Sequence, residues 1–486
     1  MQKSIYIIGS GFSSLAAACY LAKEGNKVSV FEKNTSLGGR AQQFITNGFT
    51  FDMGPSWYWM PDVFESFFAD FNKKPSDYYS LEKLNPGYRV FFENNTHFDV
   101  SDDLNTIISD FEKLEKGSGK KLSEFIDNAK KNYEIAIKDL VYRPGESIFE
   151  LVTPQTALKI DQFFSNIKRD VRKKIKNKNL QQILEFPVLF LGAKPSDTPS
   201  FYSFMNYADF GLGTWQPKNG FFDVVQAMVK LGTELGVTYH TNAAISKISV
   251  ENNTATGIEI NNKILKADVV LSGADYHHTE TLLPIENRQY SEAYWNKKTF
   301  APSSLLFYVG FDKKLENVCH HNLFFDSDFE KHAVEIYDNP EWPTDPLFYA
   351  NFTSITNKET APKGCENGFF LIPIAPDLED TEEVREIYFE KIISRFEQIT
   401  QQNVRKNIIF KKSFCVKDFK SEYNSYKGNA YGLANTLLQT AVLRPNLKSK
   451  KVKNLYFTGQ LTVPGPGVPP ALISGKLVSQ LIKKYQ

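Results

Sequence analysis

Apolar positions along the first 32 residues change their period twice. Residues 5–8 form a continuous apolar run, the pattern of a parallel strand covered on both faces. Residues 15–24 then place Ala and Leu at helical spacing, and Gly25 supplies the positive-φ position that closes a helix. Lys27–Phe31 returns to a strand pattern and runs into Glu32. Between the first strand and the helix stand Gly9, Ser10, Gly11, Phe12, Ser13 and Ser14. Strand, glycine turn, helix, strand and acid within about 30 residues predict a βαβ unit that holds a dinucleotide. Gly9 permits the turn out of the strand, and Gly11 lets the backbone approach a pyrophosphate. The helix N-terminus offers free N–H groups to the phosphates. Ser14 stands where a third glycine packs helix on strand. Glu32 suits a ribose diol and would repel a 2′-phosphate.

The same periodicities return far along the chain. Residues 220–236 have the apolar stripe of a helix, through Val224, Val225, Met228, Val229, Leu231 and Leu235. A short strand at 237–239 follows, then a hairpin of 244–250 and 256–260 turning at 251–253, then a buried strand at 267–272. Residues 454–459 predict a strand ending in Gly459. A Pro/Gly loop at 463–470 leads into a helix at 471–484, with proline where its missing N–H has no partner to lose. Strands at 299–311, 347–352 and 368–374 belong to a second sheet. Residues 103–191 are mostly helical and carry a basic cluster (Lys168, Arg169, Arg172, Lys173, Lys174, Lys176 and Lys178) before the apolar stretch 180–191.

Composition narrows the function classes. Lys plus Arg (57) balance Asp plus Glu (56), which argues against a nucleic-acid partner. Phe accounts for 40 residues, a surplus able to line a large apolar pocket. Cys19, Cys319, Cys365 and Cys415 form no CxxC pair, so neither a disulfide framework nor a metal site is expected. The segment Cys319-His320-His321 lacks the spacing of a shared tetrahedral site and is expected to be a surface loop. No secretory leader is expected, because the N-terminus lacks a basic segment followed by a long apolar one. No stretch reaches the ~18 apolar residues of a transmembrane helix.

Six residues after Glu32 come Gly38, Gly39 and Arg40, and then Gly54, Pro55, Ser56 and Trp57. A second glycine turn with a cation at this place resembles the two-dinucleotide-binding-domain flavoproteins. That resemblance implies FAD, with Gly38, Gly39 and Arg40 at its diphosphate and ribityl region and Gly54–Trp57 near its ring. Ile245 would meet the adenine. Gly459, Gln460, Gly467 and Val468 would complete the flavin's surroundings, the last two through backbone amides. No cysteine lies in that C-terminal segment, so the flavin is expected to be non-covalent.

Over nearly its whole length the chain resembles the bacterial-type phytoene desaturases. The C-terminal run from Asn454 to Val468 and the stretch Gly213-Thr214-Trp215-Gln216-Pro217 carry the likeness. The chain departs from the family pattern at Gln460, Leu461, Val463 and Pro466. The resemblance implies an α/β protein. Its Rossmann-like FAD-binding domain is built from discontinuous segments. A mixed-sheet substrate domain and a helical, membrane-facing insertion complete it. The implied parts are 1–100 (FAD domain, first part, with the start of the substrate domain), 101–215 (helical region), 216–275 (FAD domain, second part), 276–445 (substrate domain) and 446–486 (FAD domain, C-terminal part). The implied activity is desaturation of phytoene, a C40 carotenoid, toward neurosporene or lycopene. Oxygen or a quinone would be the electron acceptor, and the protein would be cytoplasmic and peripheral on the membrane. Arg143 and Glu150 are candidates for proton removal. Alternatives are a hydroxycarotenoid 3,4-desaturase, an amine oxidase, and a prenyl-binding protein of the GDP-dissociation-inhibitor type. The basic cluster with 180–191 is the candidate membrane-docking segment.

Overall fold

A computed structural model describes residues 2–93, 96–151 and 153–486. Its first sheet is parallel, in the order β5-β4-β1-β2-β3, with β1 Ser4–Ile8, β2 Lys27–Phe31, β3 Thr238–His240, β4 Val269–Ser272 and β5 Leu455–Phe457. The register pairs Ile5 with Val28 on one side and Val269 on the other. The inner strands lie between helices on one face and a small antiparallel sheet on the other, and Ile5, Ile7, Val269, Val270 and Leu271 are completely buried. That is why their sequences run apolar without alternation.

Helix α1 spans Phe12–Lys23, three residues earlier than the apolar pattern predicts, because Gly11 caps it directly. Its alanines Ala16, Ala17 and Ala18 are fully buried. Helix α2 (Phe222–Glu234) and helix α3 (Val468–Tyr485) pack against it. The α1–α3 approach is so close that a Cβ on Gly475 would sit 2.5 Å from Ser13 O, so glycine is required there.

Beside this sheet lies a three-stranded antiparallel one, Lys247–Glu251, Thr254–Ile260 and Lys263–Lys266. Its third strand escapes the sequence pattern because it is nearly all exposed. A seven-stranded mixed sheet forms the second layer, in the order Ile408–Phe414, Ser303–Phe311, Glu366–Ile374, Phe348–Asn351, His321–Phe325, Tyr88–Phe92 and His97–Val100. Every residue of Ser303–Phe311 is buried.

Two expectations are corrected. The stretch 180–191 is core and not a docking surface: Leu180, Ile183 and Val188 are fully buried, as are Leu184 and Phe186 to within 5%. The cluster before it is partly neutralised, with Lys168 on Glu330 and Arg172 on Glu185 and Glu330. The second correction concerns Cys319-His320-His321. His320 and His321 are buried, and His321 opens a strand inside the large sheet. Polar letters there mimic a loop, but each Nδ1 meets a hydroxyl at 2.7 Å, Thr356 for His320 and Tyr349 for His321. Those bonds offset the desolvation of the rings. Among the described residues no helix is long and apolar enough to cross a membrane.

Candidate functional site

One cavity of about 800 Å³ runs from the carboxyl ends of β1, β2 and β4 into the face of the large sheet. That is the upper part of the range for small-molecule sites. Its first end is polar. Gly9 has φ +84°, and a Cβ there would come 3.1 Å from Ala274 N. Gly9 N donates to Phe31 O at 2.8 Å, fixing the turn against β2. The Glu32 carboxylate is buried and accepts from Ser10 N (3.0 Å), Ser10 Oγ (2.7 Å) and Asn34 N (2.9 Å). Gly38 N donates to Ser10 O at 3.1 Å, so the second glycine turn is tied to the first. A Cβ on Gly39 would lie 3.1 Å from Gly11 Cα, and one on Gly54 would lie 2.4 Å from Arg40 O.

Arg40 sits over the Tyr423 ring at 5.4 Å. Its Nη2 donates to Ser425 Oγ (3.1 Å) and Asn429 O (3.2 Å). Turning the Gln460 amide about its last bond puts the oxygen 3.2 and 3.1 Å from Arg40 Nη1 and Nη2. Burial lowers the pKa of Arg40, and Asp275 opposes that. Asp275 is itself pushed up by burial, although it accepts from the backbone N–H of Tyr426 and His278. Asp275 and His278 line the cavity, a role the sequence reading did not give them. The rule that ligands bind beyond the carboxyl ends of parallel strands points to Asp275, which ends the turn after β4.

Three features fit a flavin dinucleotide. Arg40 Nε is buried and finds no partner among the described residues. A Cβ on Gly11 would meet no atom within 4 Å, so the cavity in front of this turn leaves the backbone open to a ligand. Gly467, with φ +112°, and Val468 bring the N-terminus of the 18-residue α3 to the cavity wall. The partial positive charge there favours an anion by about 0.3–1 kcal/mol.

Gly9, Gly11, Glu32, Gly38, Gly39, Arg40, Gly54, Pro55, Ser56, Trp57, Ile245, Gly459, Gln460, Gly467 and Val468 all line this one cavity. Ser14 stands behind it: its Oγ would lie 2.0 Å from a Cβ on Gly273, so it packs α1 onto the turn after β4. Arg143 and Glu150 do not line the cavity. Arg143 pairs with Asp139 (Nη2–Oδ2 2.6 Å) and bonds the Glu150 carbonyl. The Glu150 carboxylate accepts from Gly145 N (2.8 Å), Glu146 N (2.9 Å) and Ser147 N (3.2 Å). Both side chains hold a partly exposed loop together.

The second end of the cavity is apolar, with Phe186, Leu189, Phe190, Met205, Leu306 and Phe329 among its walls. Trp57 marks the junction. Its ring stacks on His321 at 4.3 Å and 10°, and the rings of Trp59, Tyr88 and Phe190 meet it edge-on. A polar end built for a dinucleotide thus opens directly on a long apolar chamber.

Residues 12–483 match the family model described as flavin containing amine oxidoreductase. A carotenoid 3,4-desaturase of Haloarcula japonica is 42% identical over 99% of this chain and 98% of its own. A zeta-carotene-forming phytoene desaturase of Myxococcus xanthus is 28% identical over 99% of this chain and 94% of its own. Among solved structures, an oxidoreductase from Methanosarcina mazei superposes with a TM-score of 0.63 at 18% identity, covering 99% of this chain and 100% of that one. That last likeness concerns the fold.

Proposed function

This chain belongs to the flavin-containing amine oxidoreductase family, and from that premise we propose that it is an FAD-dependent carotenoid desaturase that introduces the 3,4 double bond. The observation that carries the reading is the single cavity joining a dinucleotide site to an apolar chamber. A carotenoid is a long hydrocarbon with little to grip by charge, so aromatic and aliphatic walls must supply its binding. Phytoene as the substrate has weaker support. The phytoene desaturase of Myxococcus xanthus is 28% identical, against 42% for the 3,4-desaturase of Haloarcula japonica.

Hydride acceptance is the chemistry a bound flavin supplies. The chain's own groups do the rest. Gly9, Gly11 and the α1 N-terminus would hold the pyrophosphate, and Glu32 would hold the adenosine ribose. Arg40 lies across the second glycine turn, and the α3 N-terminus favours negative charge on the ring side. The apolar walls exclude water from the reacting carbons. Expression in bacteria accumulating either phytoene or a 3,4-saturated carotenoid, followed by pigment chromatography, tests the reading. Conversion of the 3,4-saturated pigment alone is the expected result. Conversion of phytoene with the other pigment untouched would reverse the assignment.

A hydrophobic substrate reaches the chamber most directly from a bilayer, and the surface suits this. Phe149 (78% exposed), Leu158 (83%) and Phe164 (79%) project from the helical region, with Leu438 and Leu443 exposed as well. Thr440, between those leucines, bonds Tyr202 at 2.9 Å, and Phe201 stacks on Phe163. Each side chain contributes about 1.5–3 kcal/mol if buried in lipid. Replacing Phe149, Leu158 and Phe164 by serine is therefore expected to weaken liposome flotation by at least about 100-fold. Flotation of the triple variant equal to the parent's would rule out this surface.

A further inference from the structure

Desaturation removes a hydride and a proton from neighbouring carbons, and the groups described so far leave the proton without a destination. The carboxylates lining the cavity, Glu32, Asp275 and Glu422, all lie at its dinucleotide end. His332 also lines it, but both ring nitrogens are committed to backbone, Nε2 to Pro373 O at 2.9 Å and Nδ1 to Leu347 N at 3.1 Å. Tyr349 is different. Its ring lines the cavity beside Ser56 and Trp57, and its hydroxyl has two acceptors within reach. Its single proton can turn to Ser56 Oγ at 2.9 Å or to His321 Nδ1 at 2.7 Å, and Ser56 can donate to Tyr349 Oη when that proton faces His321.

The tautomer of His321 follows from its neighbours. Asn351 Nδ2, which can only donate, is 3.0 Å from His321 Nδ1. Nδ1 therefore carries the lone pair and Nε2 the proton, and Nε2 has no partner among the described residues. The imidazole is fully buried, held flat on Trp57, with no acidic side chain among its hydrogen-bond partners. Burial and the neighbouring His320 keep it neutral, with its pKa well below the ordinary histidine value. Packing alone would be served by a phenylalanine at this place. What the imidazole adds is an acceptor nitrogen, shared with Asn351 Nδ2, against the hydroxyl of a tyrosine that lines the cavity.

We propose that Tyr349 is the proton acceptor of the desaturation, relaying its own proton to His321, with Ser56 fixing the hydroxyl's position. The inference rests on the desaturase reading. Once the hydride has left for an oxidised flavin, the neighbouring C–H bond breaks and its electron pair becomes the new C=C bond. The released proton binds Tyr349 Oη while the Tyr349 proton passes to His321 Nδ1. The positive charge moves from the hydrocarbon to the imidazole, so no new charge is created in the apolar interior. A weak base suffices, because an allylic carbocation is a far stronger acid than an imidazolium. A carboxylate here would instead carry the full penalty of burying an unpaired anion. Between turnovers the proton returns through Tyr349 and Ser56 to water entering the emptied chamber.

The test uses the FAD-loaded enzyme and carotenoid deuterated at the carbon that loses the proton. Tyr349→Phe is expected to lower kcat about 100-fold, the scale of one acid–base group. It should leave KM and the flavin spectrum as in the parent and raise the isotope effect at the proton-losing carbon. His321→Phe keeps the ring stack, removes the acceptor and should show the same isotope signature. Either variant, flavin-loaded and turning over within about threefold of the parent, overturns the assignment, given that a proton-transfer group is worth 10²–10⁴. So does a loss of rate with an unchanged isotope effect, the mark of a purely structural role. A parent enzyme inert toward every carotenoid removes the desaturase reading itself, whereas an active parent with active variants removes only the relay.

Discussion

A Gly11→Val protein is expected to fold as the parent does and to purify without flavin. The backbone permits the change, since Gly11 has φ −65° and ψ 170°, a conformation open to any residue. The protein permits it too, because a Cβ at Gly11 meets nothing within 4 Å. The valine methyls would enter the space between β1 and the start of α1, where the pyrophosphate must approach the backbone amides. Losing two charge-assisted hydrogen bonds, at about 1.5–3 kcal/mol each, weakens the dinucleotide by about 10²–10⁴. Gly9→Val is the contrasting case. Gly9 has φ +84°, and its added Cβ would crowd Ala274 N, so that protein should lose stability as well as flavin. Flavin absorbance of the purified proteins, with thermal unfolding of the stripped ones, separates the two effects. Flavin retained by Gly11→Val at the parent's affinity would place the phosphates elsewhere.

What the sequence revealed about this site follows from how local each feature is. The glycine turn, Glu32 and the second turn at Gly38–Arg40 are legible because a backbone that approaches a phosphate restricts residue type at fixed spacing. The strands β1, β4 and β5 are legible because burial on both faces forces apolar runs. The relay pair was not. His321 and Tyr349 lie on neighbouring strands, placed by the pairing of His321 with Asn351 and of Leu323 with Tyr349. Nothing in the string Cys319-His320-His321 reveals a register with residues about thirty positions away. Arg143 and Glu150 illustrate the converse. Their types suit proton transfer, but Glu150 accepts from three consecutive backbone amides of its own loop. The apolar stretch 180–191 shows that hydrophobicity next to a basic cluster does not distinguish a docking face from core. In the folded chain Phe149, Leu158 and Phe164, scattered in sequence, are exposed, whereas Leu180, Ile183 and Val188 are not.

The second large effect lies behind the Trp57 stack. Asp209 sits in a π-helical turn, Tyr207–Gly211, and is 2% exposed. It accepts from Tyr88 Oη at 2.7 Å, and the Tyr88 ring lies 5.3 Å from Trp57. Burial drives the Asp209 pKa from 3.8 to about 8, against a smaller opposing effect of the Tyr88 hydrogen bond. The native protein therefore keeps a proton that the unfolded chain releases above pH ~4. Stability from this group is complete below the unfolded value and is lost as pH rises through the folded one. Asp209→Asn keeps an acceptor oxygen for Tyr88 and has no proton to lose. The stability difference between variant and parent should thus grow in the variant's favour from pH ~4 to pH ~8, by at most about 6 kcal/mol. Urea unfolding at several pH values measures it, and a difference that does not change with pH would mean that Asp209 is already ionised in the native protein. Turnover should stay within about threefold of the parent, because the substitution preserves the Tyr88 bond that supports Trp57, and changes that keep a buried group's shape and partners are nearly neutral. If turnover collapses while stability rises, the proton on Asp209 serves the chemistry in front of Trp57 and not only the packing behind it.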